Sequence, residues 1–191
     1  MKRNIIWNFV LLSALIMVVA SSCKKDDTGD GLDFEITIPT DWNYQIYGDP
    51  TILYWAWSPQ RTADDAAGIR DTINEDMLVT KQSYANSSLD GFYSALVVAL
   101  MEFPSFIEIS ATDTTINSEP AIKMIHLQTI KIPIVSTTIT SDSADLDIQP
   151  IKYLFYRNGY GYVVDCGTTP YTHSHYKPIF DDIMSTFKFK N

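Results

Sequence analysis

Apolar and polar residues alternate in several short segments of the N-terminal half, a pattern typical of half-buried strands. The predicted strands are Phe34–Ile38, Tyr44–Tyr47, Thr51–Trp57 and Asp76–Tyr84. The third strand is strongly aromatic, and its alternation places Leu53, Trp55 and Trp57 on one face. We interpret this face as core. The alternative is a candidate ligand or partner surface at Trp55 and Trp57, where stacked aromatic rings would bind a glycan or a protein.

A helix is predicted after Asn86, because Ser87 or Ser88 can cap it and apolar residues then recur at helical spacing. Pro104 ends the helix. Its apolar positions are broadly distributed around the axis, so we expect it to be well buried. They are Phe92, Leu96, Val97, Val98, Ala99, Leu100, Met101 and Phe103.

A second helix is predicted near the C-terminus. Its apolar stripe comprises Tyr176, Ile179, Phe180, Ile183, Met184 and Phe187. Pro178 fits only if it lies in the first turn, where a helix tolerates a missing N–H. We expect Asp181, Asp182 and Ser185 to face water.

The dipeptide Asn158-Gly159 joins two strand-like segments, Ile151–Tyr156 and Tyr160–Cys166, which predicts a β-hairpin with a two-residue turn. Such a turn determines the register, and an opposite-charge pair, Lys152 with Asp165, then falls into place. The other predicted pairs are Arg157 with Tyr160, Phe155 with Tyr162, Leu154 with Val163, Tyr153 with Val164, and Ile151 with Cys166.

Between the first helix and the hairpin, strands are predicted at Ser105–Ser110 and Ala121–Ile132, with a polar turn at Asp113–Glu119. Ser141–Asp147 is predicted to be an acidic loop. The order of strands, helix, antiparallel strands and helix indicates an α+β fold, an antiparallel sheet covered by helices.

The N-terminus has the features of an export signal. A short basic segment, Met1–Arg3, precedes an apolar run, Ile5–Ala20, that is short for a membrane span. Small residues and Cys23 follow, which resembles the lipobox of bacterial lipoproteins. That resemblance implies a signal peptide at residues 1–22 and lipidation of Cys23 with palmitate-type acyl chains; an uncleaved anchor helix with an incidental cysteine is the alternative.

Lys24–Asp27 is similar to the surface-export signal of Bacteroidota-type lipoproteins. It implies an outer membrane lipoprotein exposed on the cell surface. Residues 23–32 then form the lipidated cysteine and a flexible tether, and residues 33–191 a single domain.

A wider resemblance rests on Ile36-Thr37-Ile38-Pro39 with Trp42, a helix ending at Phe103, the hairpin, and the closing segment Phe180–Phe189. Together they resemble the PsbP-like superfamily, which implies an α/β/α sandwich and a binding or scaffold role.

The formal net charge is −9, and removal of Lys2 and Arg3 with the signal leaves −11. This balance argues against a nucleic-acid partner, which requires clustered basic residues. The lipid on Cys23 is the expected membrane contact. Cys166 is the second of two cysteines. With Cys23 acylated it has no disulfide partner, and we expect a buried thiol.

Recognisable catalytic and cofactor motifs are missing from the sequence, so we expect no cofactor. His173 and His175 are weak candidates for a metal site, since zinc requires further ligands such as Asp165 or Asp181. We interpret both as exposed loop histidines, His126 as a satisfied sheet residue, and the aspartates of Ser141–Asp147 as a solvated loop that binds no calcium.

The sequence therefore favours a lipid-anchored cell-envelope binding or scaffold protein without catalytic activity, with a protein or a glycan as partner. The alternative is an envelope hydrolase that uses Asp, Glu and His groups. Three segments, beginning at Asp71, Asp113 and Asp142, resemble O-glycosylation sequons and are predicted near loops.

Overall fold

The computed structural model describes residues 31–59, 74–84, 88–103, 105–133 and 143–190. The signal peptide, Cys23 and the sequon at Asp71 lie outside these ranges. The elements of the described residues, in chain order, are β1 (Phe34–Glu35), β2 (Asn43–Ile46), β3 (Ile52–Trp57), β4 (Asp76–Ser83), α1 (Leu89–Leu100), β5 (Ile107–Ile116), β6 (Glu119–Pro133), β7 (Ser143–Ile148), β8 (Ile151–Arg157), β9 (Tyr160–Gly167), α2 (His173–Thr186) and β10 (Lys188–Phe189).

The chain has a sheet-dominated α+β fold. The large sheet has the order β2-β3-β4-β9-β8-β6-β5, β7 pairs with the second half of β6, and β1 pairs with β10 in a separate ribbon. The pairs between these strands are antiparallel. Both helices pack on the large sheet, on opposite faces.

The main core lies between the sheet and α2. Phe155 stacks on Phe187 with ring centroids 5.0 Å apart, and Trp42 meets Phe180 edge-on at 5.7 Å. Burial of large aromatic side chains stabilises such a layer strongly, by about 1.5 to 3 kcal/mol each. Helix α1 covers a smaller apolar cluster on the other face, through Phe92 and Leu100.

The predicted hairpin is confirmed in every pair. β8 and β9 have the predicted register, the Lys152 ammonium contacts the Asp165 carboxylate, and Cys166 is buried. The turn has φ of 53° at Asn158 and 81° at Gly159, the left-handed conformation that these residues tolerate.

One strand, one turn and one loop were predicted wrongly. The first strand ends at Glu35 and pairs with the C-terminal ribbon. The polar turn predicted at Asp113–Glu119 is mostly strand, because β5 continues to Ile116 and turns only at Asn117 and Ser118. The sequon at Asp113 therefore lies within a strand.

Part of the predicted acidic loop is strand β7. Here Lys131 pairs with Asp145 at 2.8 Å, and Thr129 donates to Asp147 at 2.8 Å, so pairing with β6 satisfies these carboxylates. Asp142 lies outside the described residues.

The helices also differ from their predictions. Val98 and Met101 are 65% and 66% exposed, so α1 is one-sided and not fully buried. Helix α2 begins at His173, which places Pro178 sixth in the helix and beyond the first turn. Asp181 is half-buried rather than solvated, because Lys123, Lys177 and Tyr153 all bond to its carboxylate.

The hairpin turn yields a stability prediction. Gly159 has positive φ and open space around its Cα, so a valine there meets backbone strain and no clash. We expect Gly159→Val to lower the free energy of unfolding by about 1 kcal/mol or more. Gly48→Val is the matched control, because that site is also open but its φ is not positive. Equal urea midpoints for the two variants would contradict the assigned turn.

Candidate functional site

The sheet face that carries α1 is covered unevenly. The helix packs against residues near the centre and the β6 side of the sheet, namely Ile122, Met124, Leu154 and Val163. Towards the other edge the same face is formed by β2, β3 and β4. Among the described residues, no helix lies on that part of the face.

Strand register brings six side chains together there. In one row, Asn43 lies opposite Trp57, which lies opposite Asp76. In the next row, Gln45 lies opposite Trp55, which lies opposite Leu78. Directly opposed residues of antiparallel strands share a face, with Cβ atoms about 4.5 to 5.5 Å apart. We refer to these six residues as the indole surface: Asn43, Gln45, Trp55, Trp57, Asp76 and Leu78.

The two tryptophans are in contact with each other. Their ring centroids lie 4.5 Å apart with the planes inclined by 35°, and both side chains are half-buried. The buried residues of β3 are Ile52, Tyr54 and Ala56, which point to the α2 side. The interpretation of Trp55 and Trp57 as main-core residues is therefore wrong: they lie on the opposite face and are partly accessible.

Asp76 is the acidic member of this surface. Trp55 Nε1 donates a hydrogen bond to Asp76 Oδ2 at 2.9 Å. The carboxyl lies over Gly167, where an added Cβ would be 2.3 Å from Asp76 Oδ1. Burial raises the pKa of Asp76 to about 7, and the Asp165 and Glu75 carboxylates add to the rise, whereas the Trp55 N–H and the Lys152 ammonium oppose it. Near neutral pH this carboxyl can therefore both donate and accept.

A buried polar layer adjoins the indole surface. Lys152 pairs with Asp165, whose Oδ1 has no hydrogen-bond partner among the described residues. His126 is fully buried, and neither ring nitrogen has such a partner. Burial lowers the pKa of His126 to about 4, helped by the Lys152 ammonium and opposed by the Asp165 carboxylate. The imidazole is therefore neutral at pH 7, and it is not the satisfied sheet residue expected from the sequence.

His173 and His175 have different surroundings in the structure. His173 Nδ1 lies 3.0 Å from Gln149 O and 3.2 Å from Thr168 Oγ1, so it joins the start of α2 to the sheet. His175 is exposed and meets the Tyr176 ring edge-on. The two residues lie in the first turn of a helix, not in a loop. Within the described ranges, no group of three or more His, Cys, Asp or Glu residues is arranged to hold a metal ion.

Two open grooves border α2 on the other face. One, of about 470 Å³, is lined partly by Trp42, Tyr176 and Asp182. The other, of about 360 Å³, contains Lys123, Tyr153 and Asp181. Burial raises the pKa of Asp181, but hydrogen bonds from Lys123, Lys177 and Tyr153 outweigh it and leave the value at about 2. These bonds already engage the carboxylate, so we regard the indole surface as the stronger candidate site.

The point at which the chain joins the sheet is remote from this surface. Asp33 Oδ2 accepts hydrogen bonds from Lys81 at 2.6 Å and Tyr162 at 2.5 Å, on the α2 side. Hydrogen bonding to these groups outweighs burial and lowers the pKa of Asp33. On β4, Asp76 lies five residues from Lys81, or about 17 Å along the strand. Residue 33 and the indole surface are thus on opposite faces and towards opposite ends.

Sequence reasoning identified Trp55 and Trp57 but missed Asn43, Gln45 and Asp76. A signal for the first two was present in Gly48-Asp49-Pro50, a turn that aligns β2 with β3. Asp49 Oδ1 accepts the N–H groups of Thr51 at 2.6 Å and Ile52 at 3.1 Å, which stabilises this turn. Because no short turn links β3 to β4, the register that places Asp76 opposite Trp57 could not be predicted from the sequence.

No family model matches the chain, and no curated protein matches it. Solved structures are similar in fold. The PA94 protein of Pseudomonas aeruginosa, whose function is unknown, aligns with a TM-score of 0.54 at 14% identity, over 73% of this chain and 83% of that one. At that identity the likeness concerns the fold alone.

Two further structures align less well. Cyanobacterial PsbP from Synechocystis has a TM-score of 0.49 at 12% identity, over 89% of this chain and 98% of its own. A Bacteroides thetaiotaomicron protein has a TM-score of 0.44 at 8% identity, over 83% of this chain and 46% of its own.

In the described residues, no helix has the length and apolar character needed to cross a membrane.

Asp76 is expected to make stability depend on pH. Its pKa rises from 3.8 to about 7 on folding, so between these values the unfolded chain releases a proton that the folded protein keeps. The free energy of unfolding should therefore fall from about pH 4 to pH 7 and level off above. Asp76→Asn has no titrating group at this position, so its free energy of unfolding should not fall in this range. The difference between the variant and wild type should therefore shift in favour of the variant by on the order of 2 to 4 kcal/mol between pH 4 and pH 8.

Urea unfolding at a series of pH values measures this shift. The amide retains an oxygen for the Trp55 N–H, so the comparison isolates the ionisation. Asp182→Asn, at an exposed position of α2, is the control and should follow wild type. A difference in unfolding free energy between Asp76→Asn and wild type that does not change with pH would contradict the raised pKa of Asp76.

The His173 junction gives a second test. We expect His173→Ala to cost about 1 kcal/mol of unfolding free energy, because the hydrogen bonds to Gln149 and Thr168 are lost. His175→Ala should change it by less than about 0.5 kcal/mol. Chelator should leave both melting temperatures unchanged, whereas stoichiometric zinc that disappears in the double variant would establish a metal site.

Proposed function

We propose that this protein is a lipid-anchored binding protein of the cell envelope, held by Cys23 at the outer membrane, which presents the indole surface to a ligand. The observation that supports the proposal most is the partly accessible Trp55–Trp57 pair, flanked by amide and carboxyl groups. Binding sites commonly combine aromatic surface with a few polar groups that set ligand orientation.

Orientation is consistent with this role. The described chain joins the sheet at Asp33, on the face away from Trp57, so a membrane anchor upstream of Asp33 does not require the indole surface to face the bilayer. The short tether would keep the domain near the bilayer, while several acyl chains would give stable anchoring. The resemblance of Ile36–Pro39 and Phe180–Phe189 to PsbP-like proteins also favours binding over catalysis.

The anchor can be tested in cells that make the full-length protein. We expect metabolic incorporation of labelled palmitate into wild type, and digestion of the protein by protease added to intact cells. Cys23→Ala should lose the label and leave the membrane fraction. Palmitate labelling that persists in Cys23→Ala would overturn the anchor.

The binding surface needs its own test. Full-length protein, immobilised in detergent, is exposed separately to envelope polysaccharide, peptidoglycan and solubilised outer-membrane protein. We expect wild type to retain one of these fractions and Trp57→Ala to lose it. Tyr171→Ala is the matched control, because Tyr171 is an aromatic side chain that is 65% exposed. Equal retention by wild type and Trp57→Ala would refute the assignment of the surface.

One observation favours a second function, that of a hydrolase. A carboxyl whose pKa is about 7, as at Asp76, suits a general acid, and Asp165 lies near enough to perturb it. Chromogenic glycosides and esters test this directly. Turnover that is lost in Asp76→Asn but kept in Asp182→Asn would support it, and absence of turnover by wild type across pH 5 to 8 would end it.

A further inference from the structure

The polar groups of the indole surface are neutral amides and one carboxyl. Asn43 is exposed and Gln45 is half-buried, and each lies directly across from an indole. An amide presents a donor and an acceptor in one plane, which suits the paired hydroxyl groups of a polyol. The alternation along β2 and β3 repeats this amide–indole pair, so each row combines an apolar ring with a hydrogen-bonding group.

The charges of the described residues disfavour an anionic ligand. Strands β2 and β3 contain no Lys or Arg. Lys152, the cation that lowers the pKa of Asp76, is largely buried and already paired with Asp165. In the described part of this surface, a phosphate or an acidic sugar would therefore meet Asp76 without a compensating positive charge, and burying it there would be unfavourable.

A cationic ligand is also poorly matched. Asp76 Oδ2 is engaged by the Trp55 N–H, and the carboxyl lies across Gly167 in a partly buried position. Because burial raises its pKa to about 7, the group is only partly ionised at neutral pH. It is better suited to hydrogen bonding with hydroxyl groups than to pairing with an ammonium group.

The dimensions agree with a small unit of a polymer. Three strands span about 10 Å across the surface, and two alternate residues add about 7 Å along it. That area accommodates one or two sugar rings, with the apolar C–H face of a ring against an indole. The partly exposed indoles lie next to edge strand β2, so a longer chain can extend past the domain.

Resting on the proposed function, we infer that the ligand of the indole surface is a neutral saccharide. A sugar ring stacks on Trp57, and its hydroxyl groups bond to Asn43 and Asp76. Specificity then depends on hydroxyl geometry rather than on charge.

The test uses an array of neutral, acidic and amino-bearing glycans, probed with full-length protein in a detergent that carries no sugar. We expect binding to neutral glycans, with competition by the free oligosaccharide. Trp57→Ala should weaken binding by about tenfold or more, because a central aromatic anchor is lost. Asn43→Ala should weaken it by a few fold. Trp57→Phe should keep most of the affinity, and Tyr171→Ala should match wild type.

The outcomes distinguish failure of the saccharide inference from failure of the proposed binding function. Binding confined to acidic or amino-bearing glycans, or neutral-glycan binding undiminished in Trp57→Ala, would overturn the inference. So would Trp57-dependent retention of an envelope protein without glycan binding, although the binding function would then stand. Circular dichroism and melting temperature show whether each variant is folded. If Trp57→Ala is unfolded, Trp57→Gln and the Asn43→Ala response provide the same comparison.

Discussion

The β8–β9 hairpin is the constraint on which the rest of the structure depends. Ile151 to Phe155 are buried without alternation, so this strand is covered on both faces. One face receives α2 and the other receives α1. A slip of one residue would send every side chain of the strand to the wrong layer. The two-residue turn at Asn158-Gly159 prevents that slip, and β4 and β6 align against a register that is already determined.

The hairpin also introduces charge into the interior. Lys152 and Asp165 lie in the middle of the sheet, where an ion pair must offset a large desolvation cost. An apolar pair of similar volume would serve stability as well or better. His126 adds a neutral buried imidazole whose ring nitrogens have no geometric hydrogen-bond partner among the described residues. This polar layer adjoins the indole surface and perturbs Asp76, so its contribution is to the electrostatics of that surface more than to the core.

The two faces of the sheet therefore differ in character. On the α2 side, stacked rings such as Phe155, Phe187 and Phe34 form a continuous aromatic core. On the other side, α1 covers only the central and β6 strands, and the β2–β4 edge carries indoles, amides and a carboxyl. A face that mixes half-buried aromatic rings with hydrogen-bonding groups is suited to an amphipathic ligand. The proposed binding surface therefore lies at the β2–β4 edge of one face, whereas the aromatic core that stabilises the fold lies on the other face.

Local patterns were sufficient wherever the controlling interaction is short-range. The hairpin register, the burial of Cys166, the apolar stripe of α2 and the alternation of Trp55 with Tyr54 all follow from turn chemistry or side-chain periodicity. Tertiary contacts decided the rest. Asn117 lies in the turn between β5 and β6, and its side-chain amide donates hydrogen bonds to Ser185 O and Phe187 O. A residue that is distant in sequence thus binds carbonyl groups at the C-terminal end of α2. Asp181 is held by Lys123, and acidic β7 is held by pairing with β6. The indole surface likewise requires β4 beside β3, and since no short turn links those strands, only the assembled sheet places Asp76 against the two tryptophans.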